Sequence, residues 1–256
     1  RLILEGGGLR CFYTMGILET FLEEGIAIPN VTGVSAGAIS GALYVSGQRG
    51  IAEALLKKMR YIPGQMRLYL WVKKAMEKTG RMDIRVFLSL IKKWFPYDFE
   101  AYANSLNELK VGCFNIETGE TKFFGKSEQM DNNVFWNQIA ASASLPFESP
   151  IVTIGDKKYM DGGIDYPLPK LDYDGFKNIL VFTRDLNYRK EKSEYTDEQN
   201  LELSKYPKLK EAVEERHIHY NEMKEELLEK EKKGSVFIFK PEFPINIGIF
   251  HTHASE

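Results

Sequence analysis

The chain has few cysteines and no long apolar run, and both features limit the classes of protein to which it can belong. Cys11 and Cys113 are the only cysteines among its 256 residues. Two thiols supply neither a disulfide framework nor the ligand spacing of a metal site, so we expect a reducing compartment, the cytoplasm, and no bound metal. No stretch approaches the roughly 20 apolar residues of a membrane span, so any membrane contact is expected to be peripheral.

A strong net charge is also lacking. The formal net charge is −2, with 43% hydrophobic and 27% charged residues, which is the composition of an ordinary globular protein with a full core. We therefore expect no nucleic-acid partner. The length allows one large α/β domain or two small ones, and we start from a single domain over residues 1–256. Because the chain begins at Arg1 rather than methionine, a removed leader and secretion stay open.

Glycine, by contrast, is concentrated after the first apolar run. Residues 2–4 predict a buried strand, and Gly6, Gly7 and Gly8 stand between it and a helix with apolar residues at helical spacing. Backbone amides in such a loop can cradle a phosphate, bind the oxyanion of an acyl-transfer intermediate, or form a tight turn. A phosphate loop needs Gly-Lys-Ser/Thr, and a dinucleotide fingerprint needs glycine where Cys11 stands. An oxyanion loop and a tight turn are the remaining alternatives.

A second glycine-flanked turn contains a serine. In "GVSAG", residues 33–37, Ser35 stands between a predicted strand and a helix of small residues, which is the pattern of a nucleophile elbow. A structural turn explains five residues equally well. A serine nucleophile also needs a base. None of the histidines follows a strand as a triad histidine usually does, so we expect solvated or capping roles for His217, His219, His251 and His253.

Asp161 is the alternative base. It ends a predicted strand, and Gly162 and Gly163 follow it, so another backbone segment can come close. By itself "DGG" indicates a tight turn. In a chain that also has a glycine loop and a serine elbow, we favour the role of an acid or base.

The motifs "EGGGLR", "GVSAG" and "DGG", in that order, resemble those of the patatin-like phospholipase family, and specifically of its bacterial members. "ASASLPFESP" before the acid and the segment 216–241 add to the likeness. The resemblance implies a three-layer α/β/α sandwich with a mainly parallel central sheet. It also implies a Ser–Asp dyad, in which Ser35 is the nucleophile and Asp161 the base.

The resemblance further implies an oxyanion hole formed by Gly6, Gly7, Gly8 and Arg10, with no cofactor and no metal. Cys11 departs from the pattern, since the family usually has glycine after the arginine. Cysteine is small and often buried, so we expect the loop to tolerate it.

The resemblance implies a serine acyl hydrolase that cleaves lipid or other acyl esters through an acyl-enzyme on Ser35. One alternative is an acyltransferase that uses the same dyad and passes the acyl group to an alcohol. Another is a non-catalytic lipid-binding protein with the same fold. The intact Ser35, Asp161 and glycine loops argue against the non-catalytic lipid-binding protein. Nothing in the sequence distinguishes a hydrolase from an acyltransferase.

Between these motifs, two hairpins are predicted, around residues 118–119 and 155–156, and the charged segment 186–233 predicts surface helices. Residues of about 54–100 form a basic, amphipathic, helical insert in which Tyr69, Trp71 and Trp94 alternate with lysines and arginines. Peripheral contact with an anionic membrane and an ordinary helical cap explain this insert equally well.

Replacement of Trp71, Lys73 and Lys74 together tests the membrane interpretation. Each basic residue near an anionic surface contributes about 1 kcal/mol, and salt weakens that contribution. We expect stronger binding to anionic than to neutral vesicles, with binding that falls as ionic strength rises. The triple variant should bind vesicles weakly and still hydrolyse a soluble short-chain ester. Equal loss of both activities would place the segment in the core or the acyl pocket.

Overall fold

The computed structural model describes residues 1–60, 81, 83–129, 131–168 and 177–246. Tyr69 and Trp71 of the insert, and also His251 and His253, lie outside the described residues.

The described strands form one mixed sheet. They are β1 (Leu2–Leu4), β2 (Asn30–Val34), β3 (Glu108–Asn115), β4 (Glu120–Phe124), β5 (Val152–Ile154), β6 (Lys157–Asp161), β7 (Asn178–Val181) and β8 (Val236–Phe239). The order is β5-β6-β3-β2-β1-β7-β8, and β4 also pairs with β3. The neighbours from β3 to β8 are parallel, whereas the pairs of β3 with β4, β3 with β6 and β5 with β6 are antiparallel. The mainly parallel central sheet is therefore confirmed.

Helices supply the crossovers that parallel strands require. In the described part of the chain they are α1 (Cys11–Glu23), α2 (Ala36–Val45), α3 (Ile51–Arg60), α4 (Ile84–Trp94), α5 (Phe99–Asn104), α6 (Asn132–Ser142), α7 (Asp197–Leu203) and α8 (Pro207–Lys232). Asp83, Asp98, Asp131 and Thr196 accept hydrogen bonds from first-turn amides, which fixes where four helices begin. None of the described helices has the length and apolar character needed to cross a membrane.

Helices cover both faces of the sheet. Leu2 and Leu4 belong to a buried cluster with residues of α1, α2 and α6. Ile3, which lies between them, packs with Met223 and Leu227 of α8. Successive side chains of a strand point to opposite faces, so one strand reaches both helical layers. The α/β/α sandwich is therefore confirmed.

The described part of the basic insert includes α3, α4 and α5, and its C-terminal end packs against α6. The Tyr97 ring stacks on Phe135 with centroids 5.2 Å apart, and the Lys92 ammonium lies 5.2 Å from the Trp136 ring centroid. Trp94 is half-buried at the end of α4. This end of the insert therefore contributes to the helical layer.

Strand β3 pairs with two strands, β2 and β6, along one of its edges. β4 pairs with residues 111–115 of β3. Because β2 pairs with residues 108–112 and β6 with residues 113–115, both overlap β4 and must occupy the opposite edge. β2 and β6 are therefore aligned end to end along β3.

This register brings two strand ends together. Val34 at the end of β2 is paired with Gly112, and Asp161 at the end of β6 is paired with Cys113. Consecutive Cα atoms are about 3.8 Å apart. The residue after β2, Ser35, is thereby placed beside Asp161.

Candidate active site

Ser35 occupies a strained turn between β2 and α2. Its backbone has φ 54° and ψ −130°, a conformation that residues other than glycine rarely adopt. The Ser35 amide donates to Ser142 Oγ at 2.9 Å, and the Ser142 hydroxyl donates to the Gly112 carbonyl at 2.6 Å. α6 and β3 together therefore hold the turn.

The flanking glycines allow α2 to cross the sheet at close range. A Cβ at Gly37 would lie 2.5 Å from the Leu4 carbonyl oxygen, and one at Gly33 would lie 2.7 Å from the Gly37 carbonyl oxygen. Both distances are shorter than a non-bonded contact between carbon and oxygen allows. A side chain at either position would therefore move the turn that carries Ser35.

Asp161 is a buried carboxyl, 1% exposed, at the end of β6. Its Oδ1 accepts the Gly163 amide at 2.8 Å, whereas its buried Oδ2 has no partner of ordinary hydrogen-bond geometry among the described residues. Burial raises the pKa of Asp161, and the nearby Ser35 hydroxyl and Arg216 partly oppose that rise. The Ser35 hydroxyl is thus near enough to the Asp161 carboxyl to favour its charged form.

The glycine loop lies against the same serine. A Cβ at Gly6 would come within 2.9 Å of the Ser35 Cβ, and Gly8 has φ 57°. The Gly6 amide donates weakly to the Pro167 carbonyl at 3.5 Å, and the Arg10 amide donates to the Gly7 carbonyl at 3.2 Å. Within the described chain, the amides of Gly7 and Gly8 donate to no protein acceptor. These two amides can therefore bind an oxyanion.

The Arg10 side chain is within electrostatic range of Arg184 and Glu5. Burial and the neighbouring Arg184 lower the pKa of Arg10, and Glu5 opposes this effect. Cys11, the first residue of α1, is buried, and burial raises the pKa of its thiol to about 12. The loop thus accommodates a cysteine that stays protonated.

Glu5 is a site residue that the sequence analysis did not identify. It is 2% exposed and accepts hydrogen bonds from the amide and hydroxyl of Thr183, the latter at 2.8 Å. The Tyr220 hydroxyl donates to its other oxygen at 3.0 Å. These bonds tie the start of the glycine loop to the end of β7 and to α8. A lone acid after a buried strand was the available signal, because such a group needs partners.

Two histidines of α8 make hydrogen bonds to groups other than Ser35. His217 Nδ1 lies 3.0 Å from the Glu214 carbonyl oxygen, which is a local contact within the helix. His219 Nδ1 lies 2.8 Å from Asp165 Oδ1, and its ring stacks on Tyr166. Both contacts are those of structural histidines.

Comparison with known proteins identifies the family. A family model described as patatin-like phospholipase matches residues 2–171. The chain belongs to the patatin-like phospholipase family. A second model, for a domain of unknown function (DUF6363), matches residues 206–256, which include the whole of α8. The single domain over residues 1–256 stays a prediction.

Similar proteins include patatin-like phospholipase domain-containing proteins of Aspergillus oryzae and Coccidioides immitis. The first is 24% identical over 167 residues, covering 61% of this chain and 23% of that protein. The second is 23% identical over 195 residues, covering 67% of this chain and 26% of that protein. The chain thus spans about a quarter of the length of these relatives. A particular likeness to bacterial members stays a prediction.

Among solved structures, VipD from Legionella pneumophila matches with a TM-score of 0.41 and 13% identity, covering 79% of this chain and 52% of that one.

Substitution of two glycines by alanine tests how closely the segments around Ser35 are packed. Gly37→Ala should destabilise the protein by about 1–3 kcal/mol, because its Cβ would overlap the Leu4 carbonyl. Gly16→Ala is the matched control in α1, where a Cβ meets nothing within 4 Å. That change should stabilise by about 0.5–1 kcal/mol. The urea concentration at the unfolding midpoint measures both changes in stability. Equal midpoints for the two variants would contradict the close packing around Gly37.

Proposed function

We propose that the protein is a serine acyl hydrolase that cleaves lipid esters through an acyl-enzyme on Ser35, with Asp161 as the base. One observation carries this proposal: the strained Ser35 turn ends beside a buried carboxyl whose Oδ2 has no other hydrogen-bond partner among the described residues. A serine hydroxyl becomes a useful nucleophile only next to a base. A carboxylate oxygen without a competing donor can take that role.

In the first half of the reaction, Ser35 Oγ attacks the ester carbonyl carbon while Asp161 accepts the hydroxyl proton. The carbonyl electrons move to oxygen, and the amides of Gly7 and Gly8 together with the N-terminus of α2 stabilise the resulting oxyanion. Collapse of this intermediate expels the alcohol, which takes the proton back from Asp161. The products are the free alcohol and an acyl group bonded to Ser35.

In the second half, a water molecule attacks the acyl-enzyme, and Asp161 again accepts a proton. Collapse then returns that proton to Ser35 Oγ and releases the carboxylic acid. Burial of Asp161 assists both halves, because a raised pKa makes the carboxylate a stronger base.

Labelling with a fluorophosphonate tests the nucleophile. We expect mass spectrometry to find the probe on Ser35 alone, since no other serine has the elbow geometry in the described chain. Ser35→Ala should abolish labelling and ester hydrolysis while circular dichroism stays unchanged. Ser89→Ala, at an exposed position of α4, is the control and should label normally. Labelling at another residue, or none in folded protein, would refute the acyl-enzyme.

The pH dependence of hydrolysis tests the base. Asp161→Asn should lower kcat by about 10²- to 10⁴-fold. The base must be ionised, so the wild-type rate should fall as pH drops through the pKa of Asp161. Because burial raises this pKa, the midpoint should lie above the ordinary value of about 3.9. His219→Gln is the control and should keep the acid limb. Abolition of turnover by that change would indicate a histidine base.

A further inference from the structure

Three cations lie near the candidate site, on the loop after β7 and on α8. Arg184 lies in the loop after β7, Lys190 lies further along that loop, and Arg216 is on α8. Lys190 is within electrostatic range of Arg216, Arg184 and Arg10, and Arg216 is also within range of Asp161. The group thus extends up to the proposed base.

Among the described residues, the acids within electrostatic range of Arg216 and Lys190 include Asp161 and Glu5, and burial raises the pKa of both. Within the described chain, neither Arg184, Lys190 nor Arg216 forms an ion pair with a carboxylate, and the Arg216 Nε is buried without a hydrogen-bond partner. The acid that acts on Lys190 is Glu5, and burial raises the pKa of Glu5, which favours its neutral form. The three side chains are half-buried, and like charges withdrawn from water are unfavourable unless a counter-charge joins them.

The pKa of Lys190 reflects its burial and the like charges around it. Burial first, and then the charges of Arg216, Arg184 and Arg10, lower this pKa to about 8. An ammonium paired with a carboxylate would be shifted the other way. The group is therefore suited to an anion supplied from outside the chain.

The loop that carries Arg184 and Lys190 is held rigidly. Lys224 of α8, which is 3% exposed, donates to the carbonyl oxygens of Asp185, Leu186 and Tyr188 at 2.9, 2.7 and 2.8 Å. Arg216 and Lys224 are two helical turns apart and so lie on the same face of α8. One helix face thus both provides a cation and fixes the loop that provides the others.

Further contacts orient the individual cations. The Lys190 backbone amide donates to Asn221 Oδ1 at 2.9 Å, and the Asn221 side-chain amide donates to the Lys190 carbonyl at 3.0 Å. The Arg184 guanidinium lies 4.2 Å from the centroid of the Tyr188 ring, a stacking geometry that leaves its N–H edges available. Little ordering of the chain is then required when an anion binds.

We propose that Arg184, Lys190 and Arg216 form a subsite for a phosphate group beside the catalytic dyad. Guanidinium groups match the oxygens of phosphate in a bidentate manner. Three cations also exceed what a single carboxylate would neutralise, whereas a phosphate carries up to two negative charges. Only the position beside the scissile ester rests on the proposed function. The phosphate is either part of the ester substrate or a free ligand.

Calorimetric titration of inorganic phosphate into Ser35→Ala protein, at constant ionic strength, tests the subsite without turnover. We expect Arg216→Gln and Lys190→Gln, each introduced into that protein, to weaken phosphate binding at least tenfold. Lys233→Gln is the matched control, because Lys233 is exposed at the end of α8, about 25 Å along the helix from Arg216. Arg216→Lys retains the charge and should weaken binding less than Arg216→Gln.

Absence of phosphate binding, or equal binding by all these variants, would overturn the proposal. A thermal melt identifies any variant that fails to fold, and phosphate should raise the melting temperature of the parent protein and of Lys233→Gln.

Two esters with the same acyl chain, one with a phosphate group in its alcohol part and one uncharged, distinguish the source of the phosphate. If the phosphate belongs to the substrate, Arg216→Gln and Lys190→Gln in active protein should lower the kcat/KM ratio of charged to uncharged ester about tenfold. An unchanged ratio with weakened phosphate binding would assign the subsite to a free phosphate. Phosphate binding by a protein that cleaves neither ester would contradict the proposed function and leave the subsite intact.

Discussion

The site depends on the close approach of backbone segments at the carboxyl end of the sheet. A Cβ at Gly162 would lie 2.0 Å from the Gly112 carbonyl oxygen, and a Cβ at Gly37 would lie 2.5 Å from that of Leu4. β6 can therefore end against β3, and α2 can begin against β1, only where no side chain intervenes. The strained turn at Ser35 and the buried carboxyl of Asp161 are adjacent because of these contacts.

A buried polar network connects this packing to the C-terminal helix. Glu5 precedes the glycine loop and is bonded to Thr183 after β7 and to Tyr220 on α8. Burying an acid without such partners would cost several kcal/mol, so the loop, the end of β7 and α8 are positioned together. The segment that matches the domain of unknown function thereby becomes part of the site's surroundings and carries Arg216 close to Asp161.

Much of the fold was predictable because its signals are local. The apolar run at residues 2–4, the hairpin turn at Gly119 and the small residues of α2 each depend on neighbours a few positions away, and the structure contains the corresponding elements. The roles proposed for Ser35 and Asp161 came from motif order and from the family resemblance. The sequence indicated Glu5 only as an isolated acid, since the groups that bond to it are more than 170 residues away along the chain.

By itself the sequence determined the order of the elements, the glycine turns and the family, because backbone preference and side-chain periodicity act over short distances. Only the tertiary structure decided which strand ends meet. The alignment of β2 and β6 along one edge of β3 is a matter of register between distant segments. The convergence of Arg184, Lys190 and Arg216 likewise follows from how α8 packs on the loop after β7. Long-range pairing and packing set these positions, and no local pattern records them.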